Sequence, residues 1–319
     1  MNRHQLGDLE TRQVRRQLVA RAKGVPLPSA RVARAPLLMP SSLAVALLRL
    51  YDVPDPRCPR RIIRGYDRLH ARRTARMCAA VALRLGHPEG RVRDYQIACL
   101  LHDLGRAGLD RELFGKIWSW ARERGIPTRP REWRAVHPKT VYGKETEEFL
   151  ARYRSALEAD GIPLDAWATE QVEMRLGYAR RLRRRVKVVK PQLHQLGVTW
   201  QPWMERVMLY YYYPERLATA PLWVKQLAEV SVACEQFEAY SNQERGRDYY
   251  VRTKERLQDA FDYLERLRNE GILSAVVVQA VQALAAAGTF DQILAEARGK
   301  VLSSAERRYL RSLRVEEAR

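Results

Sequence analysis

The sequence predicts an all-α protein, and three observations support this prediction. Apolar residues recur at spacings of three and four along most of the 319 residues, which is the period of an amphipathic helix. The alternating pattern of a half-buried strand is hard to find anywhere. The β-branched run at 276–278 lies among alanine, glutamine and leucine at helical spacing, so its surroundings favour a helix.

Composition favours a globular protein of the cytoplasm. Hydrophobic residues make up 46% of the chain, enough for a sizeable core. The four cysteines lie far apart without a Cys-x-x-Cys pair, so neither a disulfide framework nor a zinc finger is indicated. No segment approaches the roughly 20 apolar residues that span a bilayer, and the first 25 residues lack the apolar core of a signal peptide.

The chain is strongly basic. It has 57 lysines and arginines against 37 aspartates and glutamates, a net charge of +20. Such a surface attracts phosphates and repels cations. An arginine-rich composition inherited from a genome of high GC content explains the excess equally well, so the charge alone does not identify a ligand.

Residues 1–59 are predicted to be a basic, proline-containing arm. Four prolines interrupt its first 40 residues, and one short helix is expected at 41–51 before three further prolines. The main body begins near Arg60. We expect a helical domain at 60–250, with an insertion at about 154–202, and additional helices at 251–319 whose first part packs on that domain.

The main body opens with two helices that carry the residues of greatest chemical interest. The segment 62–85 has an apolar stripe with arginines opposite, and His70 borders the stripe. The next helix is predicted at 92–104, where His102 shares a face with small apolar residues. Further helices are predicted at 131–153, 163–189, 203–213, 221–240, 253–271, 274–287 and 290–313. In the first of these, Pro138 marks either the true start of the helix or a kink.

The segment 97–105 reads Ile-Ala-Cys-Leu-Leu-His-Asp-Leu-Gly. An apolar helix delivers His102 and Asp103 and is stopped at once by glycine. Imidazole nitrogens and a carboxylate held together between packed helices bind a divalent metal and lower the pKa of its bound water. This segment is therefore the first candidate for a metal centre.

With His70 before it, this segment resembles the HD superfamily of metal-dependent phosphohydrolases, and within it the HD-GYP branch that hydrolyses cyclic dinucleotides. The resemblance covers about 60–287. His70 matches the first histidine of the family, and 100–106 matches its signature, with Arg106 where HD-GYP proteins usually carry lysine. Residues 132–143 resemble the following segment, in which a histidine before proline, here His137, is a further ligand.

The later motifs depart from the family pattern. Residues 207–217 stand in the place of the paired histidines and the Gly-Tyr-Pro loop but contain neither. Residues 232–239 resemble the segment of the last ligand aspartate, with Glu235 in its place. Arg245 is similar to an arginine of the family, displaced by about one position.

The resemblance implies a set of functional residues. One or two iron or manganese ions would be held by His70, His102, Asp103, His137 and Glu235. Asp103 and Arg106 would act in catalysis. The phosphorylated substrate would be bound by Arg106, Lys139, Lys144, Tyr211, Tyr212 and Arg245. For each residue an ordinary structural role stays open: a core histidine, a salt bridge at Glu235, a packed tyrosine or a solvated surface charge.

Three functions follow as hypotheses. The first is a metal-dependent phosphohydrolase that acts on a nucleotide or another phosphoester, cyclic dinucleotides included. The second is a catalytically degenerate HD-GYP-like module that binds a nucleotide or regulates a partner. The third is nucleic-acid binding through 180–190, where seven of eleven residues are cationic. A solvated helix face is the better explanation of that run.

Overall fold

The computed structural model of the protein describes residues 35–242 and 256–313. Within these two ranges the predicted helical class is confirmed: there are fourteen α-helices and one small hairpin of two strands. Arg245, which was predicted to bind the substrate, lies outside the described residues.

The first half of the described chain contains nine elements. They are α1 (Ser41–Arg49), β1 (Val53–Asp55), β2 (Cys58–Ile63), α2 (Arg68–Arg84), α3 (Glu89–Leu100), α4 (Arg111–Glu123), α5 (Pro130–Val136), α6 (Glu145–Ala159) and α7 (Ala166–Glu173). The second half continues with α8 (Tyr178–Gln195), α9 (Pro202–Leu209), α10 (Leu222–Ser241), α11 (Leu257–Asn269), α12 (Ala275–Ala286), α13 (Asp291–Arg298) and α14 (Ser304–Ser312). Short 3₁₀ turns lie at Leu104–Arg106 and Pro214–Leu217.

The hairpin of β1 and β2 was not predicted from the sequence. Its three prolines were interpreted only as helix breakers, and the helical pattern was extended back to Ile62. In the structure Ile62 pairs with Pro54 in an antiparallel register. The Asp55 carboxylate closes the turn, because it accepts a hydrogen bond from the backbone N–H of Arg57 at 3.0 Å and pairs with Arg61 at 2.9 Å.

Several predicted helices are divided where the backbone leaves the helical region. The segment predicted at 131–153 forms α5 and α6, because His137 precedes a proline and adopts φ −121° and ψ 71°. The segment predicted at 290–313 forms α13 and α14, and Gly299 between them has a φ of 62°. Helix α4 was not predicted; Asp110 begins it by accepting a hydrogen bond from the backbone N–H of Leu113 at 3.2 Å.

The main hydrophobic core is organised around α2, which packs against α3 and α10. Small residues on α2, among them Ala71, Ala75 and Ala79, are completely buried and allow this close packing. Helices α11 and α12 pack behind α10, and α9 packs against both α3 and α10. The core thus brings α2, the end of α3 and α10 together.

A second, smaller core is formed by α4 to α7, where Trp118, Trp133 and Phe149 are fully buried. The range 154–202, predicted as an insertion, contributes to both cores: Leu157 to the smaller one and Leu182 to the main one. Helix α8 also packs on the 3₁₀ turn Leu104–Arg106. It therefore supports the segment that carries the His-Asp pair.

All four cysteines are free, with Cys58 exposed and Cys78, Cys99 and Cys234 buried. None of the described helices alone is long and apolar enough to cross a membrane. By length and composition α12 and α13 would suffice together, but they meet at a bend of 85°.

Removal of the buried His87 imidazole is expected to weaken the dependence of stability on pH. Burial, the largest influence, and the nearby Arg91 cation lower the pKa of His87 to about 4. The unfolded chain takes up this proton near pH 6.5 and the folded chain only near 4, so stability falls as the pH drops through that window. From pH 7.5 to 5 the loss is about 2 kcal/mol.

Urea unfolding of the wild type and His87→Gln at these two pH values measures this loss. His87→Gln should lack this loss of stability between the two pH values. The exposed His194→Gln should lose as much stability as the wild type. An equal loss in His87→Gln and the wild type would contradict the assignment.

Candidate metal centre

Three of the residues predicted as metal ligands, His70, His102 and Glu235, meet where α2, α3 and α10 converge, and Asp103 lies beside the two histidines. His70 comes from α2, His102 and Asp103 from the turn after α3, and Glu235 from α10. Among the described residues, His70, His102 and Glu235 form the one set of three such side chains with ligand atoms within 4.8 Å of one another. Asp103 Oδ2 lies 3.8 Å from His70 Nε2 and 3.6 Å from His102 Nε2.

The hydrogen bonds behind the two imidazoles determine which ring nitrogen faces the centre. His70 Nδ1 contacts the Glu238 carboxylate, and His102 Nδ1 lies 2.7 Å from the carbonyl oxygen of Cys99. Both partners are acceptors, so each Nδ1 carries a proton, and a ring in its neutral form presents a lone pair at Nε2. These two Nε2 atoms lie 3.2 Å apart. Two lone pairs this close repel each other, and either a cation between them or a proton on one of them removes the repulsion.

The spacing of these atoms fits a shared ion. Two nitrogens at about 2.1 Å from one metal lie about 3.0 Å apart at a right angle and about 3.4 Å apart at the tetrahedral angle. The observed 3.2 Å between His70 Nε2 and His102 Nε2 falls within that interval. Imidazole and carboxylate donors together suit iron, manganese or zinc.

The side chains that hold the His70 ring in place were not predicted from the sequence. Glu238 is completely buried and lies one helical turn after Glu235 on α10. Besides contacting His70, its carboxylate accepts hydrogen bonds from Arg73 Nε at 2.6 Å and Asn242 Nδ2 at 3.1 Å. A carboxylate behind a ligating histidine fixes the tautomer and orientation of the ring. The only sequence signal was the spacing of three between the two glutamates.

The turn that carries His102 and Asp103 is held from two sides. The Tyr51 hydroxyl, just after α1, accepts from the Asp103 backbone N–H at 3.2 Å and donates to the Leu100 carbonyl oxygen at 3.0 Å. From α8, the Tyr178 hydroxyl donates to the His102 carbonyl oxygen. A Cβ on Gly105 would lie 2.6 Å from the Tyr178 ring, so only glycine permits this approach.

Arg181 was predicted as part of a basic surface run but is buried beneath the same turn. Its guanidinium donates to the carbonyl oxygens of Gly105 and Ala107, both at 2.7 Å. Other members of the run 180–190 pair with acids: Arg180 with Glu147 and Glu173, Arg183 with Glu205, and Arg184 with Glu170 and Glu173. Much of this positive charge is therefore compensated within the chain.

Arg106 and Tyr212, both predicted to bind substrate, border the centre. Arg106 Nη1 donates to Asp103 Oδ2 at 2.9 Å, and its Nη2 donates to the Tyr212 hydroxyl at 3.1 Å. The Tyr212 ring stacks on Tyr178 with centroids 4.9 Å apart. The structure thus links Tyr212 to Asp103 through one guanidinium. Tyr211 points elsewhere, and its hydroxyl lies 2.6 Å from the Tyr263 hydroxyl.

The other predicted residues do not join this group. His137 packs on Trp133 with ring centroids 4.3 Å apart and is not in the ligand set described above. Lys139 is exposed, and Lys144 is exposed with its ammonium 3.5 Å from Glu147.

The charges at the centre favour a positive group. Burial of the His102 ring, the largest influence, lowers its pKa, but the Asp103 and Glu235 carboxylates and the Cys99 carbonyl raise it. The net result is a His102 pKa above its ordinary value. Two carboxylates therefore outweigh the desolvation of the ring.

Comparison with known proteins gives no match: no family model, no curated protein and no solved structure corresponds to this chain.

Proposed function

We propose that the chain is a metal-dependent phosphohydrolase of the HD type that acts on a nucleotide or another phosphoester. The observation that carries this proposal is that one ligand atom each of His70, His102 and Glu235 lies within 4.8 Å of the others, with Asp103 Oδ2 3.8 Å from His70 Nε2 and 3.6 Å from His102 Nε2. A neutral core histidine is ordinarily satisfied by a donor at its acceptor nitrogen. When both rings here are neutral, each Nε2 faces another acceptor.

The proposed cofactor is one iron or manganese ion held by His70, His102, Asp103 and Glu235. When bound, such an ion polarises a phosphoryl oxygen and supplies hydroxide near neutral pH. The described residues bring no second ligand set together, so the proposal is limited to one ion.

The chain's own residues have separate tasks in this proposal. Asp103 would bind the ion and orient the attacking water. Arg106 lies at Asp103 and carries a fixed positive charge, so it would offset the negative charge that develops on a phosphoryl oxygen beside Asp103. The Tyr212 hydroxyl accepts a hydrogen bond from Arg106 Nη2. Glu238 keeps His70 in the tautomer that exposes Nε2.

A second candidate is the degenerate regulatory or nucleotide-binding module. The Arg106–Asp103 ion pair favours it, because a guanidinium at Asp103 Oδ2 neutralises the carboxylate that an ion would use. Burial points the same way, since His70, His102 and Asp103 are only 2–4% exposed.

Metal analysis and hydrolysis of bis(4-nitrophenyl) phosphate and 4-nitrophenyl phosphate distinguish the two. We expect about one iron or manganese ion per purified chain, and hydrolysis that EDTA abolishes and added Mn²⁺ restores. Bound metal without hydrolysis would favour the regulatory module. Protein that neither retains an ion nor binds added Mn²⁺ would contradict the metal centre itself.

A further inference from the structure

A separate cavity of about 480 Å³ is lined in part by Tyr211 and Tyr212. Its walls come from α5, from the residues after α9, and from α11. None of the proposed metal ligands lines it. This cavity is therefore distinct from the candidate metal centre, although Tyr212 borders both.

The cavity carries a surplus of positive charge. Three arginines line it, Arg129, Arg131 and Arg266, against the two glutamates Glu132 and Glu270. The glutamates are 49% and 43% exposed and pair with Arg129 at 3.3 Å and Arg131 at 3.6 Å. Ion pairs this exposed are weak, so a ligand that carries two negative charges can compete for the guanidiniums.

Aromatic rings hold two of these guanidiniums in place. Arg129 Cζ lies 5.4 Å from the centroid of the Tyr211 ring, and Arg266 Cζ lies 4.6 Å from that of Tyr263. A stacked guanidinium uses its face for the ring, while its N–H donors point outward in its plane. The hydrogen bond between the Tyr211 and Tyr263 hydroxyls joins the two stacks at one wall.

The remaining lining is apolar and includes Pro130, Leu267 and Ile272. We propose that this cavity binds a small organic phosphate, with the phosphate group against the arginine edges and an apolar body against these three residues. Bidentate hydrogen bonds from arginine match phosphate oxygens in geometry and charge. The volume is that of an ordinary small-molecule site. This proposal is independent of hydrolysis at the metal centre.

Calorimetric titration of the full chain with phenyl phosphate, in buffer with EDTA, tests the proposal without any contribution from a bound ion. Inorganic phosphate and phenol serve as partial probes and are each expected to bind more weakly than phenyl phosphate. Arg266→Gln should weaken phenyl phosphate binding roughly tenfold. The matched control Arg268→Gln, on the same helix but paired with Glu265 at 2.9 Å and outside the cavity, should leave it unchanged.

A further variant is expected to change the affinity for phenyl phosphate in the opposite direction. Glu270→Gln removes a competing carboxylate and should strengthen phenyl phosphate binding about threefold. Three results would each overturn the proposal: no binding of phenyl phosphate up to about 10 mM, equal affinity of Arg266→Gln and the wild type, or equal weakening by Arg268→Gln. Because the titration contains no metal, failure of hydrolysis leaves its outcome unaffected.

Discussion

Replacement of His102 by alanine is expected to release the bound ion and to lower phosphoester hydrolysis by roughly 1,000-fold or more. The variant removes one of the two Nε2 atoms that lie 3.2 Å apart, and it leaves His70, Asp103 and Glu235 as the proposed ligands. One imidazole and two carboxylates are expected to hold a labile divalent ion too weakly to keep it on dilution. Metal content by mass spectrometry and initial rates with bis(4-nitrophenyl) phosphate measure the two effects together.

His137→Ala is the matched control for this experiment. The family resemblance assigns His137 as a ligand, but its ring packs on Trp133 rather than joining the other imidazoles. It should therefore retain the ion and most of the activity. If His102→Ala kept a full complement of metal, the proposed centre would be wrong. If His137→Ala lost it, a ligand role for His137 would have to be restored.

Removal of the Glu238 carboxylate is expected to have the largest effect on folding. Glu238→Ala leaves the buried Arg73 guanidinium without its carboxylate and His70 Nδ1 without its acceptor. Breaking a buried ion pair from one side costs about 3–5 kcal/mol. Glu238→Gln preserves the shape and one acceptor oxygen, so it should fold better and lower metal affinity about 10–100-fold.

The neighbouring pair Arg76–Glu296 provides the control for folding. It lies one turn further along α2 at 3.2 Å, but its glutamate is 39% exposed. Glu296→Ala should therefore cost less than about 1 kcal/mol in urea unfolding and leave metal affinity unchanged. Equal losses of stability from Glu238→Ala and Glu296→Ala would show that Glu238 is not a buried partner of Arg73.

The sequence named His70, His102, Asp103 and Glu235, and the structure brings His70, His102 and Glu235 within 4.8 Å of one another with Asp103 beside the two histidines. Their helices have a strong period of three and four, which places each side chain on a predictable face. The ligand role of these residues remains a prediction. Glu238 was missed because its contact with His70 spans 168 positions, and no local pattern encodes such a pairing.

The density of positive charge in the sequence did not predict a free basic surface, because it does not show which acids the arginines contact. The run 180–190 has the densest positive charge in the sequence, yet Arg180, Arg183 and Arg184 meet acids from α6, α7 and α9. The hairpin was missed because proline density indicates where helices stop, not which strands pair. His137 preceded a proline, and that local restriction was visible, but its stacking on Trp133 depended on tertiary packing.

The hydrogen bonds from Tyr51 and Tyr178 to the turn that carries His102 and Asp103 have a consequence for folding. The contacts between positions 51 and 103 and between 102 and 178 span 52 and 76 positions, so closing these loops costs chain entropy that other native contacts must offset. A nascent or partly unfolded chain therefore lacks the arranged atoms that would bind a metal ion. Binding of an ion would then stabilise only the folded state. The supply of that ion would therefore affect the yield of correctly folded protein.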